Sequence, residues 1–248
     1  MTTQHTIRVS AEFSRPPAEL LDRLRRLDVS TVGEVMNGRN LMGPEVHTIN
    51  VGMTLVGPCL TCVTVPGDNL SMHVALHLAR PGDVLVITAH GRTKATTVWG
   101  DLTTISAQAR GVAGLVTDCA VRDCRAIRHL QFPLWAAEVT ARGGPKKAFG
   151  AVNVPISCSG VVVTPGDLIL ADDDGVVVVP QAEAEEIVAA AEARQRRESE
   201  LIALLKAGNT LFELMGMRPT LDALNIQLAE EGADPSERDS LSSTGDRQ

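Results

Sequence analysis

The sequence has no long apolar run, and this absence excludes a membrane-spanning protein. Its apolar runs, such as Val176 to Val179, are far too short to cross a bilayer. The first residues, Met1 to Phe13, contain no basic segment followed by an apolar one, so no secretory signal is visible. We therefore predict a cytoplasmic protein with no membrane partner.

Aromatic side chains and basic blocks are also scarce. Aromatic residues make up 2% of the 248 residues and tyrosine is absent, which argues against a platform that stacks nucleic-acid bases. The formal net charge is −7 and no cluster of Lys and Arg stands out, so we expect no nucleic-acid partner. The apolar fraction of 44% is sufficient for one large buried core.

Cysteine is present, but not in a pattern that predicts disulfides or zinc. There are five cysteines, an odd number. Cys59 and Cys62 have the spacing of half a zinc or redox site, but no second pair of comparable spacing exists. Both lie in an apolar run at 55–65 that reads as a strand, where residues three apart face opposite sides. We predict two separate buried thiols.

The order of apolar patterns predicts an α/β fold with helices that cover a sheet. Helical patterns occupy 20–27, 30–36, 70–79, 102–110 and 124–130, and short Val/Ile/Leu runs typical of strands lie between 55 and 180. Three Pro-Gly-Asp tripeptides, at 66–68, 81–83 and 165–167, predict tight turns. Asp174-Gly175 predicts a hairpin.

Composition changes after residue 180, which suggests three segments. Residues 1–180 form the predicted catalytic core. Residues 181–230 are interpreted as a helical arm that packs on a neighbouring subunit, because the helix from 181 to 206 is too long to cover this core alone. Residues 231–248 are polar and rich in Ser and charge, and we predict a disordered tail.

Three acidic positions lie where α/β proteins commonly place their sites. Asp101 begins a predicted helix; it is either an N-cap or a neighbour of free backbone N–H groups that bind an anion. Asp118 lies at the end of a predicted strand, and Arg122-Asp123 opens the next helix. On these residues alone, capping and solvated charge are the favoured explanation of the pattern.

Other candidates have simple structural explanations. Glu198 falls on the apolar stripe of the long helix, and the residues alone favour a position at the edge of that stripe. His73 and His77 are four apart on a helix but lack the Glu of a metalloprotease motif, so we interpret them as two ordinary histidines. The acidic run Asp172 to Asp174 lacks the Glu that completes a calcium loop, which favours a hairpin turn.

Four blocks, in this order and spacing, resemble one family over roughly residues 30 to 225. They are Trp99-Gly-Asp-Leu, Gly114-Leu-Val-Thr-Asp-Cys-Ala-Val-Arg-Asp123, Pro165-Gly-Asp167 and Ala171-Asp-Asp-Asp-Gly-Val-Val-Val-Val-Pro180. The chain resembles the RraA-like family of the regulator of ribonuclease activity A. Within that family it is most similar to the class II pyruvate aldolases, which cleave 4-hydroxy-4-methyl-2-oxoglutarate or 4-carboxy-4-hydroxy-2-oxoadipate. This resemblance implies an RraA-like layered sheet core with covering helices and a helical C-terminal arm.

The resemblance assigns roles to three core residues. Asp123 matches the aspartate that binds a divalent metal, Mg²⁺ or Mn²⁺, with waters completing the coordination sphere. Arg122 matches the arginine that contacts the keto oxygen of pyruvate. Asp101 matches a carboxylate near the metal-bound waters. The implied reaction is retro-aldol cleavage to pyruvate and a 2-oxo acid, with oxaloacetate decarboxylation as a side activity.

The same resemblance extends to the substrate-binding amides and to the arm. The backbone amides of Leu102 and Thr103 match those that bind the substrate carboxylate, and Glu198 matches a glutamate delivered from a neighbouring subunit. The implied assembly is a homotrimer or homohexamer. Three residues differ from those that the family commonly has: Cys119, Thr103 and Asn209. These differences bear on substrate preference more than on the metal site. The alternatives are another lyase or decarboxylase, or a non-catalytic protein that regulates a ribonuclease.

Overall fold

A computed structural model describes residues 9–89 and 97–228 of the chain. The chain divides into two compact units, Met1–Gln195 and Arg196–Gln248. The predicted disordered tail, 231–248, lies outside the described residues. Within the described ranges, every helix is too short or too polar to cross a bilayer.

The first unit contains a mixed set of helices and strands. Its helices are α1 Ala18–Leu24, α2 Val29–Val35, α3 Leu70–Leu78, α4 Asp101–Ala109, α5 Cys124–His129 and the first half of α6 Ala184–Lys206. Its strands are β1 His47–Thr48, β2 Leu55–Thr64, β3 Val84–Ala89, β4 Thr97–Trp99, β5 Gly114–Val121, β6 Leu134–Val139, β7 Ala151–Val152, β8 Ile156–Cys158, β9 Val161–Val163, β10 Leu168–Asp172 and β11 Gly175–Val179. The predicted α/β class is confirmed.

One sheet of nine described strands organises this unit, in the order β1-β6-β5-β3-β2-β10-β11, with β4 on β5 and β7 on β2. The centre, from β6 to β2, is parallel, whereas β10 and β11 are antiparallel to their neighbours. Helices α3, α4 and α5 pack on one face of this centre, and the β8–β9 hairpin packs on the other. Helices α1, α2 and the start of α6 cover the β10–β11 end. The sheet therefore has the predicted layered form.

The two cysteines of β2 show how the sheet separates these layers. Cys62 packs with the helical layer, whereas Cys59 packs with the β8–β9 hairpin on the opposite face. Successive residues of a strand point to opposite faces, so residues three apart diverge. Burial raises the pKa of both thiols. The prediction of two separate buried thiols is confirmed.

The predicted turns are present. In each Pro-Gly-Asp tripeptide the glycine has a positive φ, and the N–H of the aspartate donates to the carbonyl of the residue before the proline, at 2.9 to 3.1 Å. The hairpin between β10 and β11 is also confirmed. Its two loop residues are Asp173 and Asp174, because Asp172 pairs with Gly175. Gly175 therefore follows the two loop residues and is the first residue of β11.

Helix α6 begins in the core of the first unit. Ala184, Ile187, Val188 and Ala191 are buried against α1, α2 and the β10–β11 end. Arg23 of α1 donates to Glu192 through Nε at 2.9 Å, which fixes the start of α6 to α1. This half of the predicted apolar stripe is therefore a core contact.

The second unit contains the rest of α6, then α7 Leu211–Leu214 and α8 Arg218–Ala223. Thr210 caps α7: its hydroxyl accepts from the Glu213 N–H, while the Glu213 carboxylate accepts from the Thr210 N–H. Glu198 is half-buried on α6 within this unit. The start of the predicted arm, from Ala184 to Ala191, packs within its own chain. The packing of the rest of residues 181–230 on a neighbouring subunit stays a prediction.

Candidate active site

Two adjacent parallel strands, each followed directly by a helix, create the site. Trp99 at the end of β4 lies beside Val121 at the end of β5. The N–H of Arg122 donates to the Trp99 carbonyl at 3.0 Å, which holds the two strand ends together. Helix α4 begins two residues after the end of β4, and α5 begins three residues after the end of β5. The carboxyl ends of neighbouring parallel strands thus meet where α/β folds place their sites.

Asp101, Arg122 and Asp123, three of the predicted site residues, come together at this junction. Asp123 adopts a left-handed backbone conformation with φ of 58° at the start of α5. Its Oδ2 accepts from Arg122 Nε at 3.1 Å and lies 3.4 Å from the backbone N of Asp101. The side chains of Arg122 and Asp123 are 43% and 36% exposed, so both reach solvent and a ligand.

The start of α4 differs by one residue from the prediction. Gly100, not Asp101, is the N-cap, and Asp101 is the first residue of the helix. The interpretation of Asp101 as an N-cap is therefore wrong. The Thr103 hydroxyl accepts from the Gly100 N–H at 2.9 Å. A side chain of the first helical turn thus provides a hydrogen-bond partner for the backbone N–H of the N-cap residue.

The amides of Leu102 and Thr103 lie in the first turn of α4, where backbone N–H groups lack partners within the helix. The Leu102 N–H donates to Oδ1 of Asp101 at 2.7 Å. A substrate carboxylate that binds this amide must therefore replace the Asp101 carboxylate. That exchange leaves Asp101 close to the bound carboxylate and able to turn toward the rest of the substrate.

Two glycines provide the space in which Arg122 and Asp123 sit. A Cβ on Gly100 would lie 2.6 Å from Asp123 Oδ2 and 3.2 Å from Arg122 Nε. A Cβ on Gly143 would lie 2.9 Å from Arg122 Nη1. Any side chain at either position would therefore displace the charged pair.

A cavity of about 250 Å³ opens beside this junction. Its volume is below the roughly 300–1,000 Å³ typical of sites for drug-sized ligands, which indicates a small metabolite. The start of α4 and the end of β5 form one wall, with Asp101, Leu102, Thr103 and Arg122. The start of α3 and a loop before β7 form the other, with Asn69, His73 and Lys146.

The sequence interpretation missed His73. It is half-buried and lines the cavity, whereas His77, one turn later, is exposed. Burial and the neighbouring Lys146 ammonium lower the pKa of His73. The i, i+4 spacing of His73 and His77 suggested only a possible zinc pair. The position of His73 next to Met72, which is buried in the same helix, could have indicated that this histidine faces the interior.

Asp118 has a structural role. Its Oδ2 accepts from the Thr88 hydroxyl and from the Ser159 N–H, each at 3.1 Å. Asp118 lies within β5 and not at the end of the strand as predicted. Because its bonds join β3 and β5 to the turn of the β8–β9 hairpin, we assign it to the fold and not to catalysis.

The carboxylates of this junction fit a hard divalent cation. In the described part of the chain, no group of three or more His, Cys, Asp and Glu side chains could hold a metal, so a zinc site of ordinary composition is not formed by these residues. Mg²⁺ and Mn²⁺ accept oxygen ligands, and Mg²⁺ is commonly held by one or two carboxylates with water. Asp123 provides one exposed carboxylate for such a site, and the backbone N of Asp101 lies 3.4 Å from its Oδ2.

Comparison with known proteins identifies the family of the chain. Residues 18–178 match the RraA-like family, described as Aldolase/RraA. A protein of Halalkalibacterium halodurans, provisionally named a 4-hydroxy-4-methyl-2-oxoglutarate aldolase, is 35% identical over 203 residues, which are 79% of this chain and 96% of that protein.

Solved structures show the same fold. An uncharacterized protein from Pseudomonas syringae pv. tomato superimposes with a TM-score of 0.72 at 28% identity, covering 81% of this chain and 98% of that one. Streptomyces coelicolor RraAS2, described as an unusual member of the RNase ES inhibitor RraA protein family, has a TM-score of 0.70 at 30% identity and covers 76% of this chain and 98% of its own. The match over residues 18–178 and the shared fold establish that the chain belongs to the RraA-like family.

Proposed function

We propose that the protein is a divalent-metal-dependent lyase that cleaves 4-hydroxy-2-oxo acids to pyruvate and a second 2-oxo acid. The substrates are 4-hydroxy-4-methyl-2-oxoglutarate or 4-carboxy-4-hydroxy-2-oxoadipate, and oxaloacetate decarboxylation is the expected side activity. The observation that carries the proposal is the contact of Arg122 Nε with Asp123 Oδ2 beside the start of α4, at a cavity of metabolite size. The name of the Halalkalibacterium halodurans relative supports the same reaction.

The wall formed by α4 and β5 suits the 2-oxo acid end of such a substrate. The N–H groups of Leu102 and Thr103, with the positive end of the helix dipole, bind the carboxylate. The Arg122 guanidinium donates to the keto oxygen, whose negative charge grows as the bond breaks. The Asp101 carboxylate, which accepts from the Leu102 N–H at 2.7 Å, would leave this N–H as the substrate binds.

Asp123 would hold the cation, with Asp101 next to it. A bound Mg²⁺ or Mn²⁺ supplies charge that stabilises the enolate of pyruvate. Asp101, directly or through a water, accepts the proton of the C4 hydroxyl. The C3–C4 bond then breaks, its electrons form the enolate, and protonation at C3 yields pyruvate. Loss of CO₂ from oxaloacetate forms the same enolate, which explains the side activity.

Glu198 completes the proposal from another subunit. We propose that a homotrimer or homohexamer forms, and that the part of residues 181–230 beyond Gln195 packs on a neighbouring copy so that its Glu198 acts beside Asp101. A second carboxylate there would share the proton transfer. A catalytic role would then explain why a carboxylate lies on the apolar stripe of α6.

The test is pyruvate release from a panel of 4-hydroxy-2-oxo acids and oxaloacetate, with and without EDTA. We expect activity that EDTA removes and that Mg²⁺ or Mn²⁺ restores. Asp123→Ala should behave like the chelated enzyme, whereas Asp174→Asn, an exposed carboxylate of the β10–β11 turn, should behave like the wild type. Full turnover by metal-free protein would contradict the mechanism. Absence of turnover on every substrate, together with binding of a ribonuclease, would favour a regulatory protein instead.

A further inference from the structure

We propose that Trp99 and Thr104 orient the carboxylate of Asp123 through a chain of hydrogen bonds, and that this chain sets the affinity of Asp123 for a divalent cation. The inference rests on the proposed function, in which Asp123 holds the cation. Trp99 is 2% exposed and Thr104 is fully buried. Both are therefore positioning residues, which act on the cation through other groups.

The chain of hydrogen bonds begins at the indole of Trp99. Its Nε1 donates to the Thr104 hydroxyl at 2.8 Å, and that hydroxyl donates to the Gly100 carbonyl at 3.0 Å. A hydroxyl group has one proton to donate and lone pairs that accept, so a single Thr104 side chain makes both bonds. The Trp99 ring stacks on the buried Phe132, with the ring centroids 6.0 Å apart and an interplanar angle of 11°. A buried indole is thus connected to the peptide group that joins Gly100 to Asp101.

This peptide group transmits the effect to the site. Its carbonyl oxygen accepts from the Thr104 hydroxyl, from the Thr104 N–H at 3.0 Å and from the Thr103 hydroxyl at 2.7 Å, so three donors fix its direction. Because a peptide group is planar, fixing the direction of its carbonyl also fixes the direction of its N–H. That N–H belongs to Asp101 and donates to Asp123 Oδ2 at 3.4 Å.

Two donors therefore hold one oxygen of the Asp123 carboxylate. Oδ2 accepts from the Asp101 N–H and from Arg122 Nε at 3.1 Å, which leaves Oδ1 available for a cation. Loss of a group that orients a metal ligand commonly weakens metal binding by about 10- to 100-fold. Trp99 and Thr104 act from farther along the chain, whose bonds strengthen one another, so we expect a smaller effect in the same direction.

Binding of Mn²⁺ to the full-length protein tests this inference without turnover, because the electron paramagnetic resonance signal of free Mn²⁺ decreases as the ion binds. Thr104→Val removes the hydroxyl and keeps the branched shape, and it should weaken Mn²⁺ binding by at least about fivefold. Trp99→Phe keeps an aromatic ring against Phe132 but removes the indole N–H, and it should weaken binding by about threefold. Thr104→Ser keeps the hydroxyl and should bind Mn²⁺ within about twofold of the wild type.

Two fully buried residues that bond elsewhere provide matched controls. The Trp135 indole N–H donates to the Asp172 carbonyl at 2.8 Å, and the Thr117 hydroxyl donates to the Ile87 carbonyl at 2.7 Å. Trp135→Phe and Thr117→Val remove the same kinds of buried group without changing the bonds of Gly100. Both should retain wild-type Mn²⁺ affinity. Thermal unfolding of every variant would show that it is folded and that a lower Tm does not by itself weaken Mn²⁺ binding.

The double variant tests whether the two residues act through one chain. Once Thr104→Val has broken the chain, removal of the indole N–H should not weaken Mn²⁺ binding further. Thr104→Val with Trp99→Phe should therefore bind Mn²⁺ as Thr104→Val does alone. Losses that multiply in the double variant would show that Trp99 and Thr104 act independently, which overturns the chain.

The outcomes separate this inference from the proposed function. Wild-type affinity in Thr104→Val and Trp99→Phe, or an equal loss in Thr117→Val, overturns the chain while Asp123 still binds Mn²⁺. Binding by Thr104→Ser as weak as that by Thr104→Val overturns the role of the hydroxyl. If Thr104→Val does not fold, the comparison of Trp99→Phe with Trp135→Phe decides the question. No Mn²⁺ binding by the wild type, or binding that Asp123→Ala leaves unchanged, overturns the proposed cation site and this inference with it.

Discussion

Gly100 and Asp123 lie so close that a Cβ on the glycine would be 2.6 Å from the carboxylate oxygen Oδ2. Gly100 has a φ of −159°, an extended conformation that any residue adopts. The backbone therefore does not require glycine there. The neighbouring carboxylate and the Arg122 guanidinium require it.

We expect Gly100→Ala to lower kcat/KM by at least about 100-fold, because a shift near 1 Å in catalytic groups has effects of this size. Pyruvate release measures the loss. The physical cause is checked by thermal unfolding in two backgrounds. Gly100→Ala should lower Tm in the wild type but much less in Asp123→Ala, where the opposing carboxylate is absent. An equal decrease in both backgrounds would place the clash elsewhere.

Arg122→Lys should lower kcat by about 100- to 1,000-fold, the effect of removing one donor that stabilises developing charge. Lysine keeps the charge but lacks the planar group that contacts Asp123 through Nε and passes beside Gly143. Stopped assays of pyruvate release give kcat and KM separately. Arg125→Lys, on the exposed side of α5, is the control and should retain wild-type kinetics.

Asp68→Asn should reduce stability in a pH-dependent way. Burial alone raises the pKa of Asp68, but the backbone N–H donors of Leu70, Lys147 and Ala148 outweigh it and hold the pKa below its ordinary value. A carboxyl group whose pKa is lowered by folding contributes stability above its unfolded pKa, and this contribution is lost as the pH falls through the folded value.

The expected result is a Tm lower by a few degrees for Asp68→Asn at pH 7, because the amide places N–H donors opposite backbone N–H donors. This difference should begin to shrink as the pH falls through the ordinary pKa of an unfolded Asp, about 3.9. It should vanish only at the lower pH where the folded wild-type carboxyl group also becomes protonated. Scanning calorimetry from pH 7 to pH 3 measures it. A difference that is constant across this range would show that the charge of Asp68 contributes nothing.

Mixed oligomers test the role of Glu198. Asp123→Ala and Glu198→Ala should each be nearly inactive alone, and joint refolding of equal amounts should restore activity. In a ring in which each site takes the two residues from adjacent chains, about one quarter of the sites would be intact. Each variant refolded alone is the control.

Two other results would contradict the interface site. Near-normal activity of Glu198→Ala alone would identify a residue at the edge of the apolar stripe. Inactivity of both variants without recovery, despite demonstrated subunit mixing, would place both residues in the site of a single chain.

The fold was predictable because its signals are local. The alternation of β2 placed Cys59 and Cys62 on opposite faces, and the Pro-Gly-Asp tripeptides marked three turns that depend on residues adjacent in sequence. The predicted boundary of a helix can be wrong by about one residue, as at the start of α4, where Gly100 and not Asp101 is the N-cap. The reason is that several side chains can satisfy the same free N–H groups.

The site was only partly predictable because it depends on contacts between distant segments. Asp101, Arg122 and Asp123 follow strand ends, and the apolar pattern of the sequence is sufficient to locate these ends. The hydrogen bonds from Lys147 and Ala148 to Asp68 span about eighty residues, and no periodic pattern in the sequence predicts them. The helix containing His73 was predicted, but the side of that helix which faces the cavity depends on the packing of α3 and on the loop around Lys146.

The way in which Asp68 holds the loop also has a consequence for the cavity. It binds the backbone amides of Lys147 and Ala148, and these are the same for almost any side chain. The residue at position 146 can therefore change without loosening the loop, and without touching the strand ends that carry Arg122 and Asp123. A substitution at position 146 would therefore change the chemistry of the cavity wall without changing the backbone bonds that hold the loop in place.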